Sequence, residues 1–217
     1  AEKWFSPIPR RHVPRRSLPM EPMQTEERRL TVERNVPVDA LYMAFHMCSR
    51  NHPDYYAFDM LSDLLSSGRS SRFVQHLVQD KQIFNSIDAY ISGSIDNGLF
   101  HIVGKPAPEK TLEEAEKAIW EELALLTEGS IDENELEKVK NRYESEQIFN
   151  NLNYLNVATN LAYFELIGKA EDINTEVEKY RSVTQEQIKR AAKQTFLPEN
   201  CSVLYYKAAA KGASHTP

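Results

Sequence analysis

A turn between two apolar runs places the strongest constraint on how this chain can fold. From residue 83 to residue 95, apolar and polar side chains alternate, as is typical of a strand with one buried face. The apolar positions in this run are Ile87, Ala89, Ile91 and Ile95. Asp96-Asn97-Gly98 is then a strong hairpin turn into a second apolar run at 99–103. The stretch therefore predicts two antiparallel strands whose apolar side must be covered by other elements.

Three further strands and several helices complete the predicted fold. Residues 28–33 alternate as a half-exposed strand that ends before Pro37, whereas residues 40–47 are apolar on both faces, as in a sheet interior. A last strand at 201–206 is expected to return to the sheet. Helical periodicity follows Pro53 and dominates the chain beyond residue 108. This order predicts the α+β class, with an antiparallel sheet covered on one face by helices.

Capping patterns indicate where the longer helices begin. Each consists of a capping side chain followed three residues later by an acid or amide that can bond back to the cap. The three pairs are Thr111 with Glu114, Asp132 with Glu135, and Thr184 with Gln187. Apolar staples flank the last two, Ile131 with Leu136 and Val183 with Ile188. Each cap contributes about 1 kcal/mol.

The segment LLSSGRSSRF, residues 64–73, is predicted to join two helices. Gly68 suits the left-handed conformation that ends a helix, and Ser70 or Ser71 suits the N-cap of the next. A phosphate-binding loop is disfavoured because the segment has one glycine and no lysine. A hydrolase nucleophile turn is also disfavoured, because Gly68 follows a helix and no second glycine comes after the serines.

Composition restricts the partners of the chain. With 41% hydrophobic and 27% charged residues over 217 positions, the chain can bury a sizeable core. A formal charge of -6 argues against nucleic acid as the main partner. The one basic cluster, Arg10, Arg11, Arg15 and Arg16, is interleaved with prolines and is interpreted as a solvated linker. No run approaches the length of a membrane span, no export signal is visible, and the two cysteines are expected to be free thiols.

Five prolines between residues 7 and 22 favour an extended strap. At ~3.1 Å per residue, that strap could span roughly 50 Å, which is the reach of an interdomain linker. We therefore expect residues 1–24 to be a linker from a missing preceding domain, 25–207 to be one lobe, and 208–217 to be a flexible tail. The opening Ala1, in place of methionine, fits an excised piece.

The residues taken alone show no catalytic constellation. None of the six histidines is paired with another at the one-turn spacing of a zinc helix, and His46 and His101 are expected to be structural. Residues 109–146 contain thirteen acidic and five basic residues. Four-residue spacings such as Glu113 to Lys117 and Lys140 to Glu144 favour a solvated helix face over paired catalytic carboxylates.

Four features together resemble the C-terminal half of the insulinase/pitrilysin-like zinc peptidases, the family that includes the mitochondrial processing peptidases. They are Pro53-Asp54 at a helix start, Ser70-Ser71-Arg72 after a small-residue joint, the following strand, and Asp96-Asn97-Gly98-Leu99-Phe100. The run EPMQTEERRLTV, residues 21–32, is similar to the start of that half in bacterial single-chain members. EKWFSPIPRR at the N-terminus resembles the end of the preceding half, so the likeness covers roughly residues 1–207.

The resemblance implies that any zinc is held by a partner N-terminal half, on a His-x-x-Glu-His helix that this chain lacks. In many members the C-terminal half offers an arginine and a tyrosine, seven residues apart, near the scissile carbonyl. Alignment through LVQDKQIFN puts Val78 and Asn85 at those positions. Loss of one such donor typically costs ~100- to 1000-fold in turnover. Asn85 could still donate from its amide, and Arg72 or Arg69 could supply a positive charge.

Three functions remain open. The first is a non-catalytic lobe of a zinc metallopeptidase that forms the chamber wall and contacts peptide opposite a zinc-bearing N-terminal lobe, on the same chain or a separate subunit. This chain would then need no cofactor and hold no metal. The second is a catalytically inactive scaffold or peptide-binding subunit of the same fold. The third is an unrelated α+β module with a small-ligand pocket. The single-chain relatives suggest a bacterial envelope or periplasmic location, on which the residues themselves are silent.

Overall fold

The computed structural model describes residues 2–12, 19 and 21–209. A five-stranded sheet lies at its centre, with the strands in the order β1-β5-β2-β4-β3. The strands are β1 (Arg28–Arg34), β2 (Ala40–Ser49), β3 (Phe84–Ser92), β4 (Asn97–Pro106) and β5 (Cys201–Ala208). The predicted interior strand, β2, is flanked by β5 and β4, and the predicted hairpin is the antiparallel pair β3 and β4.

One strand pair corrects the expectation of a wholly antiparallel sheet. β5 pairs antiparallel with β2 but parallel with β1, where Leu30 lies opposite Leu204. β1 and β2 follow one another along the chain, and the C-terminal strand inserts between them. Because β1 and β2 run in opposite directions, a strand between them must be parallel to one of the two. The other three pairs are antiparallel, and the α+β class is confirmed.

Seven α-helices are found in the described residues. They are α1 (Glu2–Phe5), α2 (Tyr55–Ser66), α3 (Leu112–Glu128), α4 (Glu133–Asn150), α5 (Tyr154–Ile167), α6 (Glu176–Arg181) and α7 (Gln185–Thr195). A π-helix covers Phe73–Asp80, and 3-10 turns cover Ala170–Thr175 and Pro198–Asn200. A helix was predicted after residue 72, but its wider π form was not.

The helices cover one face of the sheet, as predicted. Alternate β2 residues, including Phe45, are fully buried on that face. The Phe45 ring makes edge-to-face contacts with Trp120 of α3 at 5.7 Å and with Phe196 at 5.1 Å. Phe100 of β4 contacts Phe196 in the same way. These rings join the sheet to α3 and to the end of α7 through the centre of the core.

The joint between α2 and the π-helix is only partly as predicted. Gly68 has a φ of +87°, the left-handed conformation that glycine adopts at low cost, so its predicted role is confirmed. Neither serine caps the next helix. Its N-cap position is Arg72, whose side chain makes no capping hydrogen bond to the helix backbone. The Ser71 hydroxyl instead donates to the Gly68 carbonyl at 2.8 Å. This bond closes the turn on itself, so the hydroxyl is not available to the helix.

Two of the three predicted capping boxes are confirmed, those of Thr111 at α3 and Thr184 at α7. Asp132 caps α4 by accepting from the Asn134 backbone N–H, but Glu135 does not complete a box. The Glu135 carboxylate instead accepts two hydrogen bonds of 2.9 Å from Arg72. A distant arginine therefore replaces the local partner.

The acidic segment is not wholly a solvated face, and that interpretation was wrong for two residues. Glu116 and Glu122 of α3 are buried, with 6% and 1% of their surface exposed. The Glu122 carboxylate lies 2.9 Å from Nδ1 of His76 on the π-helix. The predicted ion pairs of Lys117 with Glu113 and of Lys140 with Glu144 are also replaced. Lys117 pairs with Glu121 instead, and Lys140 pairs with Glu137.

The ends of the chain are described only in part. α1 lies in the predicted linker, most of whose central residues, 13–18 and 20, lie outside the described residues. Gln24, the last linker position, donates from its side chain to the Cys201 carbonyl at 2.8 Å and is therefore attached to β5. β5 continues through Ala208, and residues 210–217 of the predicted tail lie outside the described part.

No helix in the described ranges is both long enough and apolar enough to cross a lipid bilayer.

Candidate functional site

Val78 and Asn85 line the same cleft, between the end of the π-helix and the start of α3. The cleft has a volume of about 560 Å³. One wall comes from residues 78–85 and the other from residues 107–110. Each wall contributes one positive charge, Lys81 on the first and Lys110 on the second. The two positions that the resemblance singled out are thus brought together, beside the first residues of edge strand β3. Two exposed or half-exposed side chains seven residues apart meet because the π-helix ends between them.

The backbone of this cleft is held in unusual conformations. Gln82 and Glu109, one on each wall, have φ values of 51° and 71°. Such left-handed conformations cost of order 1–3 kcal/mol for residues other than glycine and concentrate at functional sites. Backbone bonds fix them: Ile83 N–H donates to the Leu77 carbonyl at 2.8 Å, and Ala107 N–H donates to the Ile83 carbonyl at 2.8 Å. The cleft is therefore a preformed feature of the fold.

Asn85 is the bulged residue of β3. Phe84 pairs with Pro106 and Ser86 pairs with Lys105, so Asn85 has no partner on β4. A bulge changes the direction of a side chain and is common beside active sites. Asn85 is exposed at the cleft and can donate from its amide. The Val78 side chain has no polar group, so one residue of this pair carries hydrogen-bond donors, whereas the resemblance implies two.

Arg69 and Arg72, the other two predicted contact residues, are not among the residues that line this cleft. Arg72 is occupied by its two bonds to Glu135 and by a third, of 3.3 Å, to the Ser130 carbonyl. This arginine connects the helix joint to the start of α4. Arg69 is exposed, and its carbonyl accepts a hydrogen bond from the Gln79 side chain.

The face of the sheet opposite the helices is open, and it carries a shallow groove of about 320 Å³. The groove is mainly apolar and is lined by side chains of four strands, among them Leu30, Tyr42, Val103 and Leu204. Tyr42 and Leu30 are 39% and 60% exposed. An uncovered apolar sheet face of this kind marks an interaction surface in a folded protein.

Both structural histidines lie on this open face. His101 stacks on Tyr90 of β3, with ring centroids 4.9 Å apart, and burial lowers the pKa of its imidazole. The neutral ring is therefore favoured, as expected for a packing role. Nε2 of His46 lies 3.8 Å from the exposed Glu21 carboxylate.

A buried ionic network anchors the β1 edge of the sheet to α3. The Glu116 carboxylate accepts hydrogen bonds from Arg29, from the Tyr205 hydroxyl at 2.6 Å, and from the Trp120 indole at 3.3 Å. Burial opposes the charge on Glu116, but the bonds from Arg29 and Tyr205 outweigh it and lower the pKa of this carboxyl. Sequence reasoning missed this group because its partners lie 87 and 89 residues away.

The resemblance assigns zinc to a partner N-terminal half and not to this chain. Within the described part of the chain, no group of three or more His, Cys, Asp or Glu side chains is placed to hold a metal ion. The two cysteines are also unsuited to nucleophilic chemistry. Burial raises the pKa of the Cys48 thiol to about 11 and that of Cys201 to about 12, so both stay protonated near neutral pH.

The family described as the peptidase M16 inactive domain matches residues 1–143. The chain belongs to this family. The match includes β1 to β4, the helix joint and the Val78–Asn85 cleft. An M16 inactive domain is a non-catalytic part of a peptidase. The first prediction from the sequence, a non-catalytic peptidase lobe, is thereby confirmed at the level of the domain.

The two curated relatives of this M16 domain are bacterial proteins about twice its length. An uncharacterized zinc protease of Bacillus subtilis, YmxG, is 24% identical over 197 residues, which cover 90% of this chain and 47% of YmxG. A protease from Helicobacter pylori has the same fold, with a TM-score of 0.85 and 22% identity over 95% of this chain and 51% of that one. The peptidase M16 inactive domain structure from Pseudomonas fluorescens gives a TM-score of 0.77 at 15% identity, over 91% and 47%. The chain thus spans about half the length of the curated relatives it matches.

Proposed function

We propose that this M16 domain is the wall of a peptide chamber that is closed by a zinc-bearing N-terminal lobe. The observation that carries the proposal is the uncovered apolar face of the sheet. A second lobe or subunit is needed to bury that face. The relatives are zinc proteases of twice the length, and a zinc-bearing lobe is the partner that the family resemblance implies.

The α4–α5 surface supplies the second area for contact with that lobe. Only Phe164 of the 14 residues of α5 is buried, and Glu165 is the only charged residue in the helix. Tyr154 and Leu155 are 90% and 72% exposed, and Phe149 at the end of α4 is 68% exposed. An apolar helix that buries almost nothing within its own domain is stable only when another surface covers it. We assign this surface to the zinc-bearing lobe, because an uncharged helix face suits a permanent contact within one protein.

Peptide substrate is the second expected partner. The open sheet face and the Val78–Asn85 cleft both offer contacts to it, the first through apolar side chains and the second through the Asn85 amide and two lysines. Lys81 is partly committed to Glu121 at 3.2 Å, whereas Lys110 is exposed. Positive charge at this cleft would suit a peptide carboxylate or carbonyl oxygen.

The experiment compares the complete gene product with the 217-residue chain. We expect the complete product to contain stoichiometric zinc and to cleave fluorogenic peptides in a chelator-sensitive way, and the isolated chain to do neither. Hydrogen exchange should show slower exchange in α5 and on the open sheet face in the complete product. Tightly bound zinc in the isolated chain would defeat the proposal, as would equal exchange in both proteins.

An inactive scaffold of the same fold is the second candidate, and Val78 and Asn85 favour it. The relevant variant is Val78→Arg/Asn85→Tyr in the complete product. If the lobe serves a peptidase, each restored donor should raise kcat, with ~100- to 1000-fold as the upper bound per donor. A complete product that binds peptides, contains no zinc and gains no activity from this variant would establish the scaffold.

A further inference from the structure

A polar cavity lies on the helical side of the domain, away from the open sheet face and the Val78–Asn85 cleft. Its volume is about 320 Å³, and α2, α4, α5 and α6 form its walls. Three kinds of side chain in its lining carry rings or charges: the tyrosines Tyr55, Tyr143 and Tyr180, the carboxylates of Asp59 and Glu176, and the guanidinium of Arg50. A cavity of this size holds a small polar molecule or one side chain.

The positive charge of Arg50 is already used within the wall. Its guanidinium donates to Glu176, and both side chains are buried, at 7% and 9% exposure. It also lies 4.5 Å from the centroid of the Tyr55 ring and donates to the Tyr56 hydroxyl at 3.4 Å. Lys179 Nζ lies 3.8 Å from the other oxygen of Glu176. Glu176 is therefore fully compensated.

Asp59 lacks a close ion pair in the described part of the chain, although the charge of Arg50 acts on it from a distance and favours its ionised form. Its side chain accepts a hydrogen bond from the Tyr180 hydroxyl, and no Arg, Lys or His in the described residues comes within ion-pair distance of it. Burial raises the pKa of the Asp59 carboxyl, and burial together with Asp59 raises the pKa of neighbouring Asp63 to about 6. The charge on a partly buried carboxylate of this kind is relieved either by a proton or by a cation that reaches it.

Tyrosine rings line the same cavity as this carboxylate. Tyr143 and Tyr180 stack with centroids 3.6 Å apart, and Tyr55 forms another part of the wall. Ring faces favour an organic cation over a metal ion, because they attract the charge electrostatically and also pack against its methylene groups. The two features together select a charged head with an apolar stem.

We propose that this cavity binds a primary alkylammonium group, with the ammonium on Asp59 and its carbon chain against the tyrosine-lined wall. The group can come from a lysine side chain or from the free amino end of a peptide, which share this chemistry. The inference stands on the cavity alone and does not depend on the role of the domain in peptide cleavage.

The test is calorimetric titration of the 217-residue chain with three probes. They are lysine blocked at both its α-amino and carboxyl groups, an alanine-glycine dipeptide amide with a free amino end, and blocked norleucine as the uncharged analogue. We expect at least one amine to bind with a Kd in roughly the millimolar range and norleucine not to bind. Binding of blocked lysine alone identifies the side chain as the source, and binding of the dipeptide identifies the amino end. Equal binding of norleucine, or no binding of either amine, overturns the proposal.

Variants locate the bound group. Asp59→Asn keeps an acceptor for the Tyr180 hydroxyl, removes the charge, and should weaken amine binding at least about tenfold. Glu121→Gln is the matched control, because that carboxylate is exposed on α3, is paired with Lys81 and does not line the cavity, so the amine affinity of this variant should not change. Unchanged affinity in Asp59→Asn refutes the assignment. If this variant does not fold, saturation transfer in the wild-type chain decides: transfer from tyrosine ring protons to the ligand methylenes supports the proposal, and its absence refutes it.

Discussion

The buried ion pair between Arg50 and Glu176 provides the sharpest test of how the helices are held together. The two side chains come from residues 126 positions apart and connect the end of β2 to α6. Replacement of Arg50 by Met preserves much of the volume and leaves Glu176 buried with only Lys179 and the Tyr56 hydroxyl nearby. Loss of one partner of a buried pair costs ~3–5 kcal/mol. For a chain of this size, that corresponds to a fall in Tm of roughly 6–20 °C.

The expected behaviour of the double variant makes the argument refutable. Arg50→Met/Glu176→Gln removes both charges, so it should lose less than the sum of the two single variants. The exposed pair of Arg190 and Asp54 is the control, and Arg190→Met should cost about 0–1 kcal/mol. Thermal and urea unfolding followed by circular dichroism give all four values. A loss below about 1 kcal/mol for Arg50→Met, or additive single variants, would show that burial does not control this pair.

Three further predictions concern individual positions. Gly68→Ala should destabilise by about 1–2 kcal/mol, because φ is +87° and the new Cβ would lie 3.2 Å from Arg142 Nη1; an unchanged urea midpoint would contradict this. Phe100→Ala should cost about 3–5 kcal/mol in the same assay, since the ring is fully buried against Phe196. The pKa of Glu116 is lower in the folded chain than in the unfolded chain. Its contribution to the free energy of unfolding is therefore present above the unfolded pKa and is lost as pH falls through the folded pKa. Glu116→Gln should therefore lose less stability between neutral and acidic pH than wild type, and equal acid sensitivity would be the contrary result.

Local signals predicted the fold wherever a structure depends on neighbouring residues. The β3–β4 hairpin, the left-handed Gly68 and the capping boxes at Thr111 and Thr184 each involve positions a few residues apart. The predicted turn at 96–98 was misplaced, because Asn97 and Gly98 already belong to β4 and the chain reverses at 93–96. The parallel pairing of β1 with β5 could not be read in the same way, because it joins residues about 174 positions apart, such as Leu30 and Leu204. Nothing in either strand specifies which neighbour it takes.

The buried acids show a signal that could have been used. The buried apolar residues of α3 include Leu112, Ala115, Ile119, Leu123 and Leu126. Glu116 and Glu122 fall within this same stripe at three- and four-residue spacing, and not on the opposite face. Helical periodicity therefore marks them as buried, whereas acidic composition suggests that they are solvated. Their partners, Arg29 and His76, remain unpredictable because the sheet and the π-helix supply them.

The Val78–Asn85 cleft was predictable in composition but not in shape. Alignment identified the two positions, whereas the bulge at Asn85 and the left-handed Gln82 and Glu109 emerged only from the fold. Each left-handed residue costs of order 1–3 kcal/mol, and a glycine at either position would avoid that cost. The retained strain indicates that the side chains at these positions, or the rigidity of the turn, have a use that does not require the missing arginine and tyrosine. A peptide-contacting wall needs such a fixed shape without needing a donor for a transition state, and this is why the geometry favours a binding role over a catalytic one.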